Sequence, residues 1–347
     1  MRSAGDPGRV RRARIEDVAQ AANVSVATVS RALRGLPNVA ESTRSKVTEV
    51  AAAMRYQPDP AAARLAAGRT RSVIVVVPHL ASWYFSNVIA GAEAVCNESG
   101  YECLIVGVGN QVECNRLLDE HAQLERRADG VVLVNIPASD QQAASLRTRG
   151  VALSTIGTTS TGSPSVFIDD VEVGRLGAST LARLGHRRIA LISGLGEDPL
   201  NFAVPKLRLA GFEAGLAEFA IAFDEALVVG GNFGIDGGQE AMASLLDLAD
   251  PPTAVFAMSD EMAFGALMEL QQRGLVAGRD ISLLGVDDHE VARVVSLSTI
   301  RQNVPQQGAA AARALIATMT ATDPVTIEPV MSSIELVLRA TTGPPPI

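Results

Sequence analysis

The sequence predicts a small all-α headpiece followed by a larger α/β core. Apolar residues recur at helical spacing in three short segments of the first 57 residues, whereas beyond Arg71 strand-like runs alternate with helical stretches. Charge divides the chain in the same way, since residues 1–71 carry a net charge of +7 and the remainder −15. A basic module on an acidic body is expected of a polyanion-binding head, although a basic tail without function would give the same charges.

Composition places the chain among globular proteins of two or three domains. It has 347 residues, 47% of them hydrophobic and 20% charged. The apolar runs are too short to cross a bilayer, and the N-terminal arginines are not followed by the apolar stretch of a secretory signal. Three scattered cysteines cannot form an even disulfide framework. These features favour a reduced, cytoplasmic setting.

Three short helices are predicted in the headpiece, residues 14–57. The residues at the i, i+3, i+4, i+7 positions of the first and third helices are Ile15, Val18, Ala19 and Ala22, and Val47, Val50, Ala51 and Met54. Ser25 is a suitable N-cap for a second helix at about 26–33, which turns Val29 and Leu33 inward. This arrangement is helix-turn-helix geometry, although an ordinary three-helix bundle with a solvated face fits the periodicity equally well.

The outer face of the second helix suits the major groove of DNA. Small side chains permit close approach there, so Val26 and Ala27 can contact thymine methyl groups, and Arg31 can reach a guanine edge or a phosphate. Thr28 and Ser30 can donate hydrogen bonds to phosphate oxygens.

The headpiece resembles that of the lactose/galactose repressor (LacI/GalR) family of transcriptional regulators. The resemblance lies in Asp17-Val18-Ala19, Val24-Ser25-Val26-Ala27-Thr28-Val29-Ser30-Arg31, Val39, Thr43-Arg44, Val47, Tyr56-Gln57-Pro58 and Ala63-Arg64-Leu65-Ala66. It implies sequence-specific binding of double-stranded DNA through Arg14, Val26, Ala27, Thr28, Ser30, Arg31, Asn38, Tyr56, Ala62 and Leu65. Arg14 and Ala40 replace hydroxyl residues that cap helices in the family, which should cost about 1 kcal/mol each, although Arg14 can gain a phosphate contact.

Residues 58–69 are expected to form a short hinge helix. Pro60 suits its first position, and Gly68 can end it. A helix of this length is unstable alone. In the resembled family the hinge folds on the operator and inserts a leucine, matched here by Leu65, into the minor groove. An inert linker is the alternative.

The remaining chain predicts two doubly wound parallel sheets of similar size. The expected strands are Val73–Val77, Leu104–Val108, Val131–Val134, Ile189–Ile192, Thr253–Ala257 and Ile281–Val286. The expected helices are Ser86–Glu98, Glu113–Arg127, Val171–Leu184, Lys206–Phe219, Ile235–Leu248, Glu261–Arg273 and Gln307–Met319. Alternation of this kind indicates βαβ units, and ligands of such folds bind beyond the carboxyl ends of the strands.

Further motifs resemble the periplasmic sugar-binding-protein-like core of the same repressors. They are Gly130-Val131-Val132-Leu133, Asp169 with Gly174, Leu184-Gly185-His186-Arg187-Arg188-Ile189, Arg208-Leu209-Ala210-Gly211-Phe212, Asp260 with Met262-Ala263-Phe264-Gly265, Gly285-Val286-Asp287-Asp288 and Glu335-Leu336-Val337-Leu338-Arg339. The resemblance implies two lobes joined by three crossovers, within residues 70–340. We expect an N-lobe near 72–168 plus 301–328 and a C-lobe near 169–300 plus 329–340, with tails at 1–13 and 341–347.

An effector site is expected between the lobes. Arg208 and Asp287 match positions that contact sugar hydroxyls in the family, and Asp260 is expected to close the same cleft. The aromatic candidates are Trp83, Phe85 and Phe233. Phe85 and Phe233 are equally candidates for the lobe core, whereas Trp83 is favoured as a ligand contact because it is expected in a loop. Ser259, Val286 and Thr158 depart from the family pattern, which leaves the ligand open.

No pattern of catalytic residues is evident. Val112 occupies the third glycine position of a dinucleotide fingerprint after Gly107, and the four histidines share no metal-ligand spacing. We therefore predict no enzyme activity, cofactor or metal, but a homodimeric repressor of carbohydrate-utilisation genes that binds a palindromic operator and a small sugar-like effector. A solute-binding protein for transport and a sugar-processing enzyme with a DNA-binding head are the alternatives.

Overall fold

The computed structural model describes residues 13–56, 69–119, 124–194, 200, 202–321 and 328–346. The chain divides into two compact units, residues 1–70 and 71–347, which correspond to the headpiece and the core domain. No helix within the described ranges is both long enough and apolar enough to cross a membrane.

The headpiece is a bundle of three helices, α1 (Ile15–Ala22), α2 (Val26–Leu33) and α3 (Glu41–Ala53). Its buried side chains are Val18, Ala19, Ala22, Val29, Ala32, Val47 and Ala51. The apolar positions predicted in all three helices are confirmed as the source of this small core, with Ala32 added to those of α2 and the larger Leu33 at its edge. The predicted hinge, including Ala62 and Leu65, lies outside the described residues apart from Arg69.

The core domain alternates strands and helices. In chain order its described strands are β1 (Ser72–Val77), β2 (Glu102–Gly107), β3 (Gly130–Val134), β4 (Ala152–Ile156), β5 (Ser165–Phe167), β6 (Ile189–Ser193), β7 (Val228–Gly230), β8 (Ala254–Ala257), β9 (Ser282–Asp287), β10 (Ser298–Gln302), β11 (Val330–Met331) and β12 (Ile334–Val337). Its described helices are α4 (Trp83–Glu98), α5 (Gln111–Asp119), α6 (Asp140–Thr148), α7 (Asp170–Arg183), α8 (Val204–Ala217), α9 (Ile235–Leu246), α10 (Asp260–Gln272), α11 (Glu290–Val294) and α12 (Val304–Thr320).

The strands form two sheets, each the centre of one lobe. The first sheet has the order β11-β5-β4-β3-β1-β2 and is wholly parallel. The second has the order β12-β10-β9-β8-β6-β7 and is parallel except for β12. The chain passes between the sheets three times, after β5, after β10 and after β11. The predicted pair of doubly wound lobes is confirmed.

Burial on both faces explains the apolar strands. All six residues of β1 are buried, and its five apolar residues alternate between two apolar clusters. Val73, Val75 and Val77 face the cluster beneath α4 and α12, whereas Ile74 and Val76 face the cluster that includes Leu118 and Leu146. Helices cover both faces of a parallel sheet, so its central strands read as continuous apolar runs.

Several elements and boundaries differ from the sequence prediction. The elements β4, β5, β7, β10, β11, α6 and α11 were not predicted from the sequence. Strand β4 contains the buried Ser154 and Thr155, and β10 contains the buried Ser298 and Thr299, so neither forms an apolar run. The lobe boundaries expected at 301 and 329 were placed too early, because β10 extends to Gln302 in the second sheet and β11 pairs with β5 in the first.

The expected C-terminal tail is partly an element of the second lobe. Thr341 is buried, donates its hydroxyl to the Leu283 carbonyl and accepts from the Ser298 backbone N–H, both at 2.8 Å. The Gly343 carbonyl lies 2.9 Å from Nε2 of the fully buried His186, whose Nδ1 lies 2.9 Å from the hydroxyl of Thr253. His186 therefore holds the chain end against the sheet.

Close packing of α7 against α8 brings distant residues together. A methyl carbon built on Gly174 would lie 1.9 Å from the Arg208 carbonyl oxygen, and one built on Gly211 would lie 1.9 Å from the Val171 carbonyl oxygen. Only glycine permits this approach. This close approach places Asp170, the first residue of α7, beside Arg208, which lies in the second turn of α8.

Candidate nucleic-acid interface and ligand cavity

The turn between α1 and α2 is fixed by local backbone geometry. Asn23 adopts the left-handed conformation, with φ of 54°, and the Val24 N–H donates to the Ala19 carbonyl at 3.0 Å. Ser25 then caps α2, because its hydroxyl oxygen accepts from the Thr28 backbone N–H at 3.1 Å. The N-cap predicted at Ser25 is confirmed.

The outer face of α2 is available to a partner. Val26, Ala27 and Arg31 are exposed, as the sequence predicts, and Val26 retains 40% of its accessible surface. Ser30 is half-buried. Thr28 is also half-buried, and its hydroxyl lies 2.8 Å from that of Ser25, so it already has one local hydrogen-bond partner.

Arg44 holds the C-terminal end of α2. This role of Arg44 was not predicted from the sequence. Its Nη1 donates to the Ala32 carbonyl at 3.0 Å, and its Nη2 donates to the Leu36 carbonyl at 2.9 Å. These carbonyls lie at the C-terminus of a helix and in the loop beyond it, where backbone acceptors need partners. Arg44 therefore fixes the orientation of the exposed face from α3.

The other predicted DNA-binding residues of the headpiece lie beside the helix ends or in the loop between α2 and α3. Arg14 precedes α1 and is exposed; its backbone N–H donates to Asp17 Oδ2 at 2.8 Å, so the side chain of the third helical residue satisfies this donor. No side-chain cap is present at Ala40. Asn38 is exposed with φ of 69°, and Tyr56 packs half-buried against the headpiece core.

A cavity of about 210 Å³ lies at the carboxyl ends of the strands of both sheets. Its described lining residues are His79, Ser82, Tyr84, Phe85, Asn135, Gly157, Ile168, Asp170, Phe202, Val204, Arg208, Asn232, Phe233, Met258, Ser259, Glu261, Asp287, Gln302 and Gln307. The volume is below the range of about 300–1,000 Å³ that is usual for drug-sized ligands, so it suits a small metabolite.

A buried ion pair forms part of the cavity wall. Arg208 Nε donates to Asp170 Oδ1 at 2.8 Å, and Arg208 Nη1 donates to the Met258 carbonyl. The two side chains are only 5% and 6% exposed. A buried charge needs such a partner, so Asp170 both holds the guanidinium in place and neutralises it.

Asp287 ends β9 at the cavity, with φ of 126°. Its Oδ1 accepts from Gln302 Nε2 at 2.6 Å, and Gln307 Nε2 donates to Gln302 Oε1 at 3.2 Å. Burial raises the pKa of Asp287 to about 7, although the charge of Arg208 opposes the shift. The carboxyl group can therefore accept or donate a hydrogen bond near neutral pH.

Aromatic side chains supply the apolar part of the lining. Phe85 meets Tyr84 edge to face, with ring centroids 5.2 Å apart. Burial, together with the charge of Asp170, raises the pKa of the Tyr84 hydroxyl, which stays protonated. Phe233, with φ of 53°, packs over Gly194, where a methyl carbon would lie 2.3 Å from its ring. Phe202 lines the cavity as well.

The structure brings together four of the six predicted effector residues, namely Arg208, Asp287, Phe85 and Phe233. Trp83 is outside the described lining, and it is the first residue of α4, so the loop predicted for it was wrong. Asp260 is also outside the lining, behind the cavity wall. It is fully buried and accepts from the Thr299 hydroxyl at 2.7 Å and the His289 backbone N–H at 2.9 Å.

The principal lining residues that the sequence reasoning missed are Tyr84, Asn135, Asp170 and Gln302. Asn135 directly follows β3, and Gln302 is the last residue of β10. Polar residues at strand carboxyl ends are the signal that could have identified both. Tyr84 and Asp170 lie in the first turns of helices and give no such signal.

A helix-turn-helix unit followed by a two-lobed domain with a ligand cavity defines a DNA-binding transcription regulator with a ligand-binding core. Comparisons with known proteins agree. Residues 14–59 match the model of bacterial regulatory proteins of the lacI family, and residues 178–342 match the periplasmic binding protein-like domain. This chain belongs to the lacI family of regulators.

Two relatives illustrate the similarity along the sequence. The chain is 30% identical to catabolite control protein A of Priestia megaterium, over 87% of this chain and 91% of the relative. It is 32% identical to the HTH-type transcriptional repressor CytR of Escherichia coli K12, over 84% and 85% of the two chains.

Two solved structures illustrate the similarity in three dimensions. A lac repressor dimer bound to operator and the anti-inducer ONPF has a TM-score of 0.79 at 27% identity, covering 96% of this chain and all of the other. A complex of the transcriptional regulator CelR with cellobiose has a TM-score of 0.67 at 29% identity, covering 95% of this chain and all of the other.

Proposed function

We propose that this chain is a cytoplasmic repressor of carbohydrate-utilisation genes that binds a palindromic operator as a homodimer. Its operator affinity is switched by a small sugar-like effector in the cavity, and it does not chemically convert that effector. The observation that carries the proposal is the presence, in one chain, of an exposed α2 face and a buried cavity lined by Arg208, Asp287 and aromatic rings. The CytR and lac repressor similarities support it.

The cavity chemistry favours a polyhydroxylated ligand. A hydroxyl group both donates and accepts, and Asp287, Gln302 and Arg208 offer both functions in a desolvated setting where charge-assisted bonds are strong. The rings of Phe85 and Phe233 can cover the apolar face of a sugar. The similarity to a cellobiose-bound regulator agrees with this class.

The switch requires two states with different affinities for the effector. An effector shifts their equilibrium only through that difference, typically about 1–3 kcal/mol. In a symmetric dimer the two headpieces would contact half-sites about 34 Å apart, one helical turn of DNA. The geometry between headpieces then decides whether both α2 helices reach their half-sites.

Selection of operator fragments from genomic DNA, followed by footprinting, tests the DNA-binding part. Arg31→Ala should weaken operator binding by about 1–3 kcal/mol and relax the preference at one base pair. Lys46→Ala removes the same charge from an exposed position on α3 and should have a smaller effect that does not depend on sequence. Leu65→Ala should also weaken operator binding. Equal affinities for the Arg31 and Lys46 variants would contradict the assigned role of α2.

A thermal-shift screen of sugars, nucleosides and nucleobases tests the effector part, because a ligand of the folded state raises the melting temperature. Gln302→Ala should abolish the shift produced by a binding compound. Gln306→Ala, at an exposed position of α12, should preserve it. A panel in which sugars give no shift and nucleobases do would replace the sugar assignment.

A further inference from the structure

We infer that Trp83, His289 and Glu290 form a latch that holds the two lobes together beside the ligand cavity. The contacts stand independently of the assigned activity. Only the regulatory meaning of the latch rests on the proposed function, in which the cavity is the effector site. Nothing in the sequence suggested this role, since Trp83 was expected to contact the ligand.

The latch joins the first residues of two helices from different lobes. Trp83 is the first residue of α4 in the first lobe, and Glu290 is the first residue of α11 in the second lobe. The indole Nε1 of Trp83 donates a hydrogen bond to Glu290 Oε2 at 2.5 Å. The indole ring also lies against the imidazole of His289, with centroids 4.9 Å apart and planes inclined by 31°. One side chain of the first lobe therefore meets two adjacent side chains of the second.

The second-lobe half of the latch is held rigidly. The His289 backbone N–H donates to Asp260 Oδ2 at 2.9 Å, and its Nδ1 accepts from the Val291 backbone N–H at 3.0 Å. The ring of Phe264, on α10, meets the imidazole edge to face at 5.1 Å. These three contacts fix the orientation of the ring, so Trp83 packs against a preformed surface.

The latch lies next to the cavity lining. Ser82 donates its hydroxyl to Glu261 Oε2 at 3.2 Å, a second contact between the lobes, and both residues line the cavity. Trp83 is followed directly by Tyr84 and Phe85, which also line it. If α4 moved away from α11, these two rings would move away from the second-lobe residues of the cavity.

The contact can break and re-form because it is not part of a dry core. The Glu290 side chain is 64% exposed, whereas that of His289 is 14% exposed. Hydrogen bonds from the Glu290 backbone N–H and from the Trp83 indole hold the pKa of the Glu290 carboxyl below its usual value, so the acceptor is ionised at neutral pH. A solvated, charge-assisted hydrogen bond favours the closed arrangement modestly, which suits a reversible closure.

A latch between the lobes would set how fast a ligand enters and leaves the cavity. Ligand exchange would require the latch to open, so its strength controls the exchange rate through the fraction of open molecules. Glu290 and Trp83 would then be positioning residues, which affect the ligand without touching it.

Trp83 is the single tryptophan of the chain, so its fluorescence reports on the latch directly. We would compare the full chain with Glu290→Ala, Glu290→Gln and the control Glu240→Ala, which removes an exposed carboxylate from α9. Emission wavelength, acrylamide quenching and amide hydrogen exchange of segments 79–90 and 286–295 would be measured without ligand or DNA.

Glu290→Ala should move the emission to the red, increase the quenching, and accelerate exchange in both segments about three- to tenfold. Glu290→Gln keeps an oxygen that accepts from the indole and should stay within about twofold of the wild-type chain. Glu240→Ala should match the wild type. Trp83→Phe, which keeps a ring against His289 but lacks the donor, should reproduce the faster exchange if Glu290→Ala proves unstable.

Unchanged emission and unchanged exchange of segment 79–90 in Glu290→Ala would overturn the latch. Faster exchange confined to segment 286–295 would also overturn it, because Glu290 would then support only its own loop. Both results are independent of operator and effector binding. The latch can therefore fail while the proposed function stands, and the reverse also holds.

Discussion

The headpiece presents its candidate functional side chains to solvent, whereas the core domain buries those of its cavity. On α2 the candidate contacts Val26, Ala27 and Arg31 face solvent, and the small core behind the helix only supports them. In the cavity, Arg208 and Asp170 are almost fully buried and hold each other in place. The exposed face of α2 therefore depends on one helix and its caps, whereas the cavity depends on charged residues brought together from distant parts of the chain.

Breaking the buried ion pair should give the largest effect and sharpen this contrast. Asp170→Ala leaves the Arg208 charge buried without its carboxylate, and the free energy of unfolding of the core domain should fall by about 3–5 kcal/mol. Glu172→Ala removes a half-exposed partner of Arg175 from the same helix and should cost at most about 1 kcal/mol. Urea unfolding measures both, and similar losses would show that burial does not set the cost.

The pH dependence of core stability should come next. Burial raises the pKa of Asp287 to about 7, so between pH 4 and pH 7 the folded chain keeps a proton that the unfolded chain has released. The free energy of unfolding should therefore fall as the pH rises through this window, by up to about 1.4 kcal/mol per pH unit. Asp287→Asn should lack this part of the slope in urea unfolding at several pH values. Parallel curves for the two chains would contradict the assignment.

In the headpiece, a core truncation should have an intermediate effect. Val47 is fully buried, and Val47→Ala should cost about 2 kcal/mol of headpiece stability, from two lost methyl groups and the space they leave. Val26→Ala, at an exposed position of α2, should stay within about 0.5 kcal/mol. Amide hydrogen exchange of residues 13–56 measures both changes. A large loss of headpiece stability for Val26→Ala would mean that the exposed face of α2 also stabilises the fold.

The smallest effect should come from restoring a helix cap. Ala40 occupies the N-cap of α3 without a side-chain acceptor, so Ala40→Ser should stabilise the headpiece by about 0.5–1 kcal/mol. Ala53→Ser adds the same hydroxyl at the other end of α3 and should give no gain. The same exchange measurement separates them, and an equal response would rule out capping as the cause.

What could be predicted from the sequence also differs between the headpiece and the core domain. The α2 N-cap at Ser25 and the apolar stripes of α1 and α3 depend on neighbours within a few residues, and the structure confirms them. Trp83 was assigned to a loop facing a ligand, but it begins α4 and contacts Glu290, 207 residues away. No local pattern encodes that distance.

The sequence alone determined the headpiece helices, the alternation of strands and helices, and the resemblance that identifies the family, because periodicity, caps and ordered motifs are local properties of the chain. Tertiary structure decided which polar groups share the cavity. Asp170 and Arg208 meet because Gly174 and Gly211 let α7 and α8 approach closely, and Gln302 meets Asp287 because adjacent parallel strands end at one edge. Buried charges are specified by their partners, and partners are chosen by packing.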